Sequence, residues 1–184
     1  MVDLSIDDIE RLLADAADRP VEVGDGSGRV LAHTHLAHAL QVAALLRAED
    51  PADEELAVAG LVHDIGHLLE GVGDDTHAEA GGAAVRGSLG DRVGGIVALH
   101  VEAKRYLVAQ GGYDRQLSAD SVTSLTRQGG SMTAPEMAEF VERPFAEDAV
   151  RLRVADDGGK VEGLDVGTLD EWLPVLRRVH ARVT

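Results

Sequence analysis

The chain has 184 residues and carries 33 acidic against 17 basic side chains, so its formal charge of −16 repels a phosphate backbone and argues against nucleic acid as a partner. The absence of cysteine excludes disulfide bonds and thiolate metal sites. With two Phe, two Tyr and one Trp, the core must be built from aliphatic residues, and this favours packed helices.

The first half of the chain contains clear helix signals. A first amphipathic helix is predicted over residues 5–17, with Ser5 as its N-cap. The segment 20–30, PVEVGDGSGRV, is interpreted as a Gly-rich loop, and HLAHALQVAALLRAE after it is strongly helical. Asp50 is predicted to cap the next helix and Pro51 to be its first residue.

The second half also reads as a series of helices. Three pairs have the spacing of a capping box, in which a hydroxyl and a carboxylate satisfy free backbone N–H groups: Thr76 with Glu79, Thr133 with Glu136, and Thr168 with Glu171. Ser118 is predicted to open a helix that ends at Gly129 and Gly130. Pro174 lies within the last predicted helix and indicates a kink or a later start there.

The sequence has no alternating strand pattern longer than about four residues and no internal repeat, so we predict an all-α helical bundle. The length suits a single domain over residues 1–184. The apolar runs are far shorter than the roughly 20 residues that a membrane helix needs, and MVDLSIDDIE does not resemble a secretory signal. We therefore expect a soluble cytoplasmic protein without a membrane partner. The sequence indicates no particular oligomeric state.

The stretch LVHDIGHLLE, residues 61–70, places His63, Asp64 and His67 in an otherwise apolar run. A single helical histidine is usually a surface or core residue with one hydrogen bond. However, buried imidazole and carboxylate groups are costly unless they are paired or bind a metal. His63 and Asp64 can bend toward one ion, and a carboxylate can bridge two. The stretch therefore indicates a metal site whose other ligands lie elsewhere in the chain.

The order His38, then His63–Asp64, then a late aspartate in RLRVADDGGK resembles the H…HD…D pattern of the HD-domain superfamily of metal-dependent phosphohydrolases. The resemblance covers about residues 36–165 and implies an HD-domain helical bundle. His77 and His100 lie between the doublet and the late aspartate, as the additional histidines of the dinuclear branches do.

Two ligand positions have neighbouring alternatives. Gln41, three residues after His38, favours His38 over His35 and His33 as the first ligand. Asp156 is preferred to Asp157 as the last ligand, because the superfamily's ligand directly follows an apolar residue.

Three further segments are similar to a narrower group: HVEAKRYL (100–107), LSADSVTSLTRQGGSM (117–132) and AVRLRVADDGGK (149–160). They resemble the HD-domain oxygenases of phosphonate catabolism, which are related to myo-inositol oxygenase. The resemblance implies two iron ions in a mixed-valent state that cleave a carbon–phosphorus bond with O₂. It implies that one iron is held by His38, His63, Asp64 and Asp156, and that Asp64 bridges to a second iron held by His77 and His100.

The resemblance also implies substrate-contacting residues, and Asp64, His67 and Lys104 are the predicted catalytic set. Lys104 follows His100 by one helical turn, so its ammonium can hold a phosphonate oxygen, although a surface lysine paired with a glutamate is the alternative. His67 is expected to contact the phosphonate or a metal ligand. The alternative is that it makes a hydrogen bond in the core. Ser121 corresponds to a substrate-contacting serine, or it faces solvent.

One departure concerns the substrate. Amino-hydroxyphosphonate oxygenases carry a Tyr and a Glu upstream of the first ligand, where this chain has Gly28 and Leu31. We therefore expect either a substrate without an amino group or recognition of the amino group by other residues. We predict an O₂-dependent dinuclear iron oxygenase that releases inorganic phosphate from a 1-hydroxyphosphonate. The alternatives are an HD phosphohydrolase that acts on a phosphate ester or nucleotide with manganese or another divalent metal, and a degenerate binding module.

Overall fold

A computed structural model of the chain describes residues 2–24, 30–113, 117 and 119–183. Within these residues helices dominate, and the predicted all-α class is confirmed. The elements are α1 (Ile6–Asp15), β1 (Pro20–Gly24), β2 (Val30–Thr34), α2 (His35–Glu49), α3 (Glu54–Val62), α4 (His77–Ala109), α5 (Ala119–Arg127), α6 (Ala134–Val141), α7 (Ala146–Gly158) and α8 (Leu169–His180). Short 3-10 helices cover Ala16–Asp18 and Ile65–Leu68. No helix in this part of the chain is both long and apolar enough to cross a membrane.

The main core is aliphatic, as the composition predicts. Helices α2, α3, α4 and α7 pack against one another, while α1 and α8 contact each other at the side of this group. Fully buried side chains from these helices include Leu46, Leu56, Ile96, Leu152 and Leu176. Each such side chain contributes roughly 1.5–3 kcal/mol by leaving water, so burial of these faces holds the helices together.

Helix α4 consists of two halves that fold back on each other at Gly90. This glycine has φ 89° and ψ 168°, a conformation that L side chains rarely adopt. The halves approach closely because Gly82 and Gly94 lack side chains: a Cβ on Gly82 would lie 2.4 Å from the carbonyl oxygen of Gly94. The hairpin brings His77, at the start of the first half, beside His100 in the second half, with ring centroids 5.0 Å apart.

The interpretation of residues 20–30 as a loop is wrong for the part that the structure describes. β1 and β2 pair in antiparallel register, with Pro20 opposite Thr34 and Val21 opposite His33. Each strand has only five residues, so the alternation in PVEVG is too short to stand out from the glycines that follow it. Residues 25–29 lie outside the described residues.

One predicted helix start and one predicted capping box are wrong. Asp53, not Asp50, caps α3 and accepts a hydrogen bond from the Leu56 N–H at 3.1 Å. Asp50 instead accepts from the Ala52 N–H in the preceding turn. Thr76 precedes α4, but its hydroxyl donates to the carbonyl of Gly73 and forms no capping box.

The other helix boundaries agree better with the sequence. Capping boxes form at Ser5 and Thr133. At Thr168 the Glu171 carboxylate accepts the backbone N–H at 3.3 Å, so α8 starts where predicted and continues through Pro174. The predicted start at Ser118 lies outside the described residues.

Candidate metal centre and substrate cavity

The six predicted ligand residues converge from different parts of the fold. They come from α2 (His38), from the two residues that follow α3 (His63 and Asp64), from the two halves of α4 (His77 and His100), and from the last turn of α7 (Asp156). Asp64 has φ −96° and ψ 10°, the bridge conformation often found at active sites. This turn allows the carboxylate to leave the helix axis and face the other ligands.

The first group of ligand atoms gathers around one oxygen of Asp64 and one of Asp156. His38 Nε2 lies 3.0 Å from Asp156 Oδ1 and 3.8 Å from Asp64 Oδ2. His63 Nε2 lies 3.4 Å from Asp64 Oδ2 and 3.9 Å from Asp156 Oδ1. These four atoms surround one small volume, as the ligands of a single ion would.

The second group gathers around the other oxygen of Asp64. Asp64 Oδ1 lies 3.6 Å from His77 Nε2 and 3.8 Å from His100 Nε2. The two ring nitrogens are 3.1 Å apart. Asp64 therefore faces both groups, one oxygen to each, which is the arrangement of a bridging carboxylate.

Backbone carbonyls orient all four rings. The Nδ1 atoms lie within hydrogen-bond distance of carbonyl oxygens as follows: His38 with Gly159 at 2.8 Å, His63 with Gly60 at 2.8 Å, His77 with Asp74 at 2.6 Å, and His100 with Val97 at 2.8 Å. A carbonyl can only accept, so each Nδ1 carries a hydrogen, and Nε2 is left as the ring atom that can bind a metal. Metal-binding histidines are typically held in this way.

The charges in the centre favour a cation. Burial, with the neighbouring imidazoles, holds the pKa of His100 well below its usual range, and burial also lowers the pKa of His77. Both rings are therefore neutral and offer lone pairs. Burial alone would lower the pKa of His63, but Asp64 and Asp156 outweigh it and raise the pKa to about 9. A metal ion at Nε2 would supply this positive charge in place of the proton.

The residues present fit a pair of metal ions. The His63 Nε2 atom is buried and has no hydrogen-bond partner. Two lone pairs, on His77 and His100, point at each other from 3.1 Å, and a cation between them would remove the repulsion. Nitrogen and oxygen donors without sulfur suit iron or manganese.

Asp156, and not Asp157, faces the metal centre. Asp157 turns away and accepts hydrogen bonds from Tyr113 and Arg153. His33 is buried beside His38, with ring centroids 5.9 Å apart, but it contributes to neither ligand group. His180 lies elsewhere and donates from Nδ1 to the carbonyl of Ser88.

A cavity of about 410 Å³ opens onto the metal centre, and Lys104 lies in its wall. The Lys104 side chain is buried, and no described carboxylate forms an ion pair with it. Its ammonium donates to the Ser124 hydroxyl at 2.9 Å. Burial, with the nearby Arg153 cation, lowers the pKa of Lys104 to about 8. An ammonium held in this way is available to an anionic ligand.

The other predicted substrate residues also line the cavity. His67 stacks on His77 with ring centroids 3.9 Å apart, and the ring of His35 is 5.8 Å away. Ser121 is buried on α5 and faces the same space. Gly28 and Leu31 stand where the related oxygenases carry a Tyr and a Glu. Gly28 and the side chain of Leu31 lie outside the described part of the chain.

Several cavity residues were not predicted from the sequence. Ser124 and Gln128 follow Ser121 at helical spacing and line the cavity, and Arg127 lies beside them. The spacing of three and four residues within TSLTRQGG could have indicated this face of α5. Arg153 also lines the cavity. Its position one helical turn before Asp156 could have indicated this.

The fold and the converging H…HD…D residues are those of an HD-domain protein. The family model described as HD domain matches residues 33–157. The chain therefore belongs to the HD-domain family.

Curated relatives indicate which HD-domain proteins this chain is similar to. The chain is 40% identical over 149 residues to hydroxymethylphosphonate dioxygenase of Gimesia maris, a match that covers 76% of this chain and 74% of the relative. It is 37% identical to [1-hydroxy-2-(trimethylamino)ethyl]phosphonate dioxygenase (glycine-betaine-forming) of Leisingera caerulea, over 77% of this chain and 76% of the relative. An uncharacterized protein of Acanthamoeba polyphaga mimivirus is 31% identical, over 76% of this chain and 68% of the relative. The predicted resemblance to HD-domain phosphonate oxygenases is confirmed.

Proposed function

We propose that this chain is an O₂-dependent oxygenase that cleaves the carbon–phosphorus bond of a 1-hydroxyphosphonate and releases inorganic phosphate. The observation that carries the proposal is the bridging position of Asp64 between two ligand groups, at the end of a cavity that contains the Lys104 ammonium. The names of the relatives support an oxygenase rather than a phosphohydrolase with the same ligands. We also propose a cytoplasmic location.

The proposed cofactor is a pair of iron ions in a mixed-valent state. His38, His63 and Asp156 would hold one ion, His77 and His100 the other, and Asp64 would bridge them. When bound, the iron pair supplies the activation of dioxygen and the oxidation of the substrate carbon. The protein supplies position and electrostatics around that chemistry.

The substrate's phosphonate is proposed to bind at the Lys104 ammonium. A buried ammonium with a hydroxyl as its neighbour gains a strong charge-assisted contact when an anion arrives. Ser121 on α5 and His67 beside His77 line the same space and would contact the other phosphonate oxygens. These contacts direct the hydroxyl-bearing carbon toward the ligand groups and hold it there while the oxidation takes place.

The overall reaction balances with one O₂ for each phosphonate. The carbon that carries the hydroxyl and the phosphorus is oxidised to a carboxylate, and the phosphorus leaves as phosphate. The four electrons lost by the substrate reduce one O₂. The second relative is named as forming glycine betaine, which is a carboxylate, and this supports the same outcome here.

The cavity favours a substrate without a quaternary ammonium group. Proteins commonly recognise such groups with the faces of aromatic rings. None of the described residues that line the cavity is a Phe, Tyr or Trp, while Lys104, Arg127, Arg153 and Lys160 contribute positive charge. We therefore propose a small 1-hydroxyphosphonate such as hydroxymethylphosphonate.

Lys104→Met should weaken substrate binding and leave the metal content unchanged. A charge-assisted contact contributes roughly 1.5–3 kcal/mol, so the Michaelis constant should rise about ten- to a hundredfold. The measurement is steady-state phosphate release together with elemental analysis. Arg105→Met is the matched control, because Arg105 is the next residue of α4 but pairs with Glu136 outside the cavity. An unchanged Michaelis constant in Lys104→Met would show that Lys104 does not bind the phosphonate.

A further inference from the structure

Arg153 forms a buried polar network beside the metal centre, at the wall of the cavity. It lies on α7 one turn before Asp156, and its side chain is almost fully buried. Its Nη1 donates to Asp156 Oδ2 at 2.5 Å, and its Nε donates to Asp157 Oδ2 at 3.0 Å. Its Nη2 donates to the second oxygen of Asp157. One guanidinium therefore contacts both aspartates, at positions i+3 and i+4 of the same helix.

The contact with Arg153 determines which oxygen of Asp156 faces the metal centre. Oδ2 is occupied by the guanidinium, whereas Oδ1 lies 3.0 Å from His38 Nε2 among the first group of ligand atoms. The carboxylate is thereby restricted to offering one oxygen to an ion. Without this contact the carboxylate could rotate about its terminal bond and offer either oxygen or both.

Asp157 and Tyr113 hold the guanidinium in place from the other side. Asp157 takes two hydrogen bonds from Arg153, a bidentate geometry that fixes the plane of the fork. Tyr113, in the segment after α4, donates its hydroxyl to Asp157 Oδ2 at 2.5 Å. Burial, and then the Asp157 carboxylate, raise the pKa of Tyr113, so the phenol stays protonated and donates.

Lys160 is the remaining charged group in the network. Its Nζ lies 3.2 Å from Asp156 Oδ1 and 3.4 Å from Asp157 Oδ1. Unlike Arg153, it reaches each aspartate through a flexible chain and a single point charge, so it adds positive charge but does not fix a plane. Lys160 thus contacts the oxygen of Asp156 that faces the ligand atoms, whereas the guanidinium holds the other oxygen.

We infer that Arg153 is a positioning residue that holds Asp156 as a one-oxygen metal ligand, and that Asp157 with Tyr113 fixes Arg153 in that orientation. The inference rests on the metal centre of the proposed function. It also explains why two successive aspartates follow Val154 and Ala155: one faces the metal and the other holds the arginine that orients the first.

The test compares Arg153→Met with Arg151→Met. Arg151 lies two residues earlier on α7 and also forms ion pairs, with Glu49 and Asp148, but away from the metal centre. Titration of the metal-free proteins with Mn²⁺ gives stoichiometry and affinity, and thermal unfolding of the same samples gives stability. Loss of a group that orients a ligand typically weakens metal binding about 10- to 100-fold, and we expect this for the Mn²⁺ that Asp156 binds in Arg153→Met but not in Arg151→Met.

Arg153→Lys and Asp157→Asn sharpen the test and remain informative if Arg153→Met does not fold. Lysine at position 153 keeps the positive charge but lacks the planar guanidinium, so this variant should not have the wild-type affinity for Mn²⁺. Asp157→Asn keeps the bond between Arg153 and Asp156 but loosens the guanidinium, and a smaller loss of about three- to tenfold is expected.

Two other outcomes have different meanings. Unchanged Mn²⁺ affinity in Asp157→Asn and Arg153→Lys, with lowered unfolding temperatures alone, would overturn the positioning role and leave a structural ion pair. Failure of the wild-type protein to bind two Mn²⁺ ions would instead overturn the metal centre of the proposed function.

Discussion

Replacement of Asp64 by asparagine is expected to remove both metal ions at once. Among the six proposed ligands, Asp64 is the one whose two oxygens face different groups, with Oδ2 3.4 Å from His63 Nε2 and Oδ1 3.6 Å from His77 Nε2. The amide is neutral and offers one oxygen, so it can neither bridge nor balance the charge of two cations. Metal content should fall from about two ions per chain to near zero, and turnover should fall by about a thousandfold or more, as for other essential catalytic groups.

Elemental analysis of freshly purified protein measures this effect, and circular dichroism checks that the variant is folded. His180→Ala is the control for loss of a histidine elsewhere, because His180 hydrogen-bonds to Ser88 and belongs to neither ligand group. Its metal content should match that of the wild type. Retention of two ions in Asp64→Asn would contradict the bridging role.

Changing His77 or His100 to alanine should remove one ion and leave the other partly occupied. These two rings form the second group, and the first group keeps His38, His63 and Asp156 with one oxygen of Asp64. Metal content should therefore fall from about two ions per chain toward one, and oxidative turnover should be lost because it requires both ions. Elemental analysis and iron spectroscopy separate one remaining ion from two half-filled sites.

His33→Ala is the control for this second prediction. Its ring is buried next to His38 and its Nε2 has no hydrogen-bond partner, as for the proposed ligand His63, but it belongs to neither ligand group. Metal content should be unchanged. Loss of metal in His33→Ala would mean that the wrong histidine near the start of α2 has been assigned, and two ions in both His77→Ala and His100→Ala would exclude the second group.

Several candidate site residues could be proposed from the sequence because they lie in short motifs with a fixed local geometry, and the family resemblance supplied the others. His63 and Asp64 are adjacent, Gln41 marks His38, and Lys104 follows His100 by one turn. Local spacing and a family resemblance are enough for such residues. The structure adds what spacing does not contain, namely that the four rings donate from Nδ1 to carbonyls and turn Nε2 inward.

The remaining features depend on tertiary contacts. The sequence around Gly90 continues in a helical pattern, and only packing of Gly82 against Gly94 reveals the hairpin that joins His77 to His100. The β-hairpin before α2 is too short to show in periodicity. Arg153 resembles an ordinary helical arginine until Tyr113, which is distant in sequence, is seen to donate to the Asp157 carboxylate that holds the guanidinium.

The measurement that tests the central claim most directly is phosphate release from 1-hydroxyphosphonates by ferrous-loaded protein, with and without O₂. The substrates should include hydroxymethylphosphonate and analogues with a 2-amino group, because the residues upstream of His38 differ from those that read an amine. A carbon–phosphorus bond has no ester oxygen to leave, so a metal hydroxide alone cannot break it at a useful rate, whereas oxidation of the adjacent carbon can.

We expect phosphate only when O₂ is present, with one O₂ consumed for each phosphate, and no product from protein loaded with manganese or magnesium. Equal release of phosphate under anaerobic conditions, or turnover of phosphate esters with redox-inert metals in place of phosphonates, would contradict the oxygenase assignment and favour a phosphohydrolase.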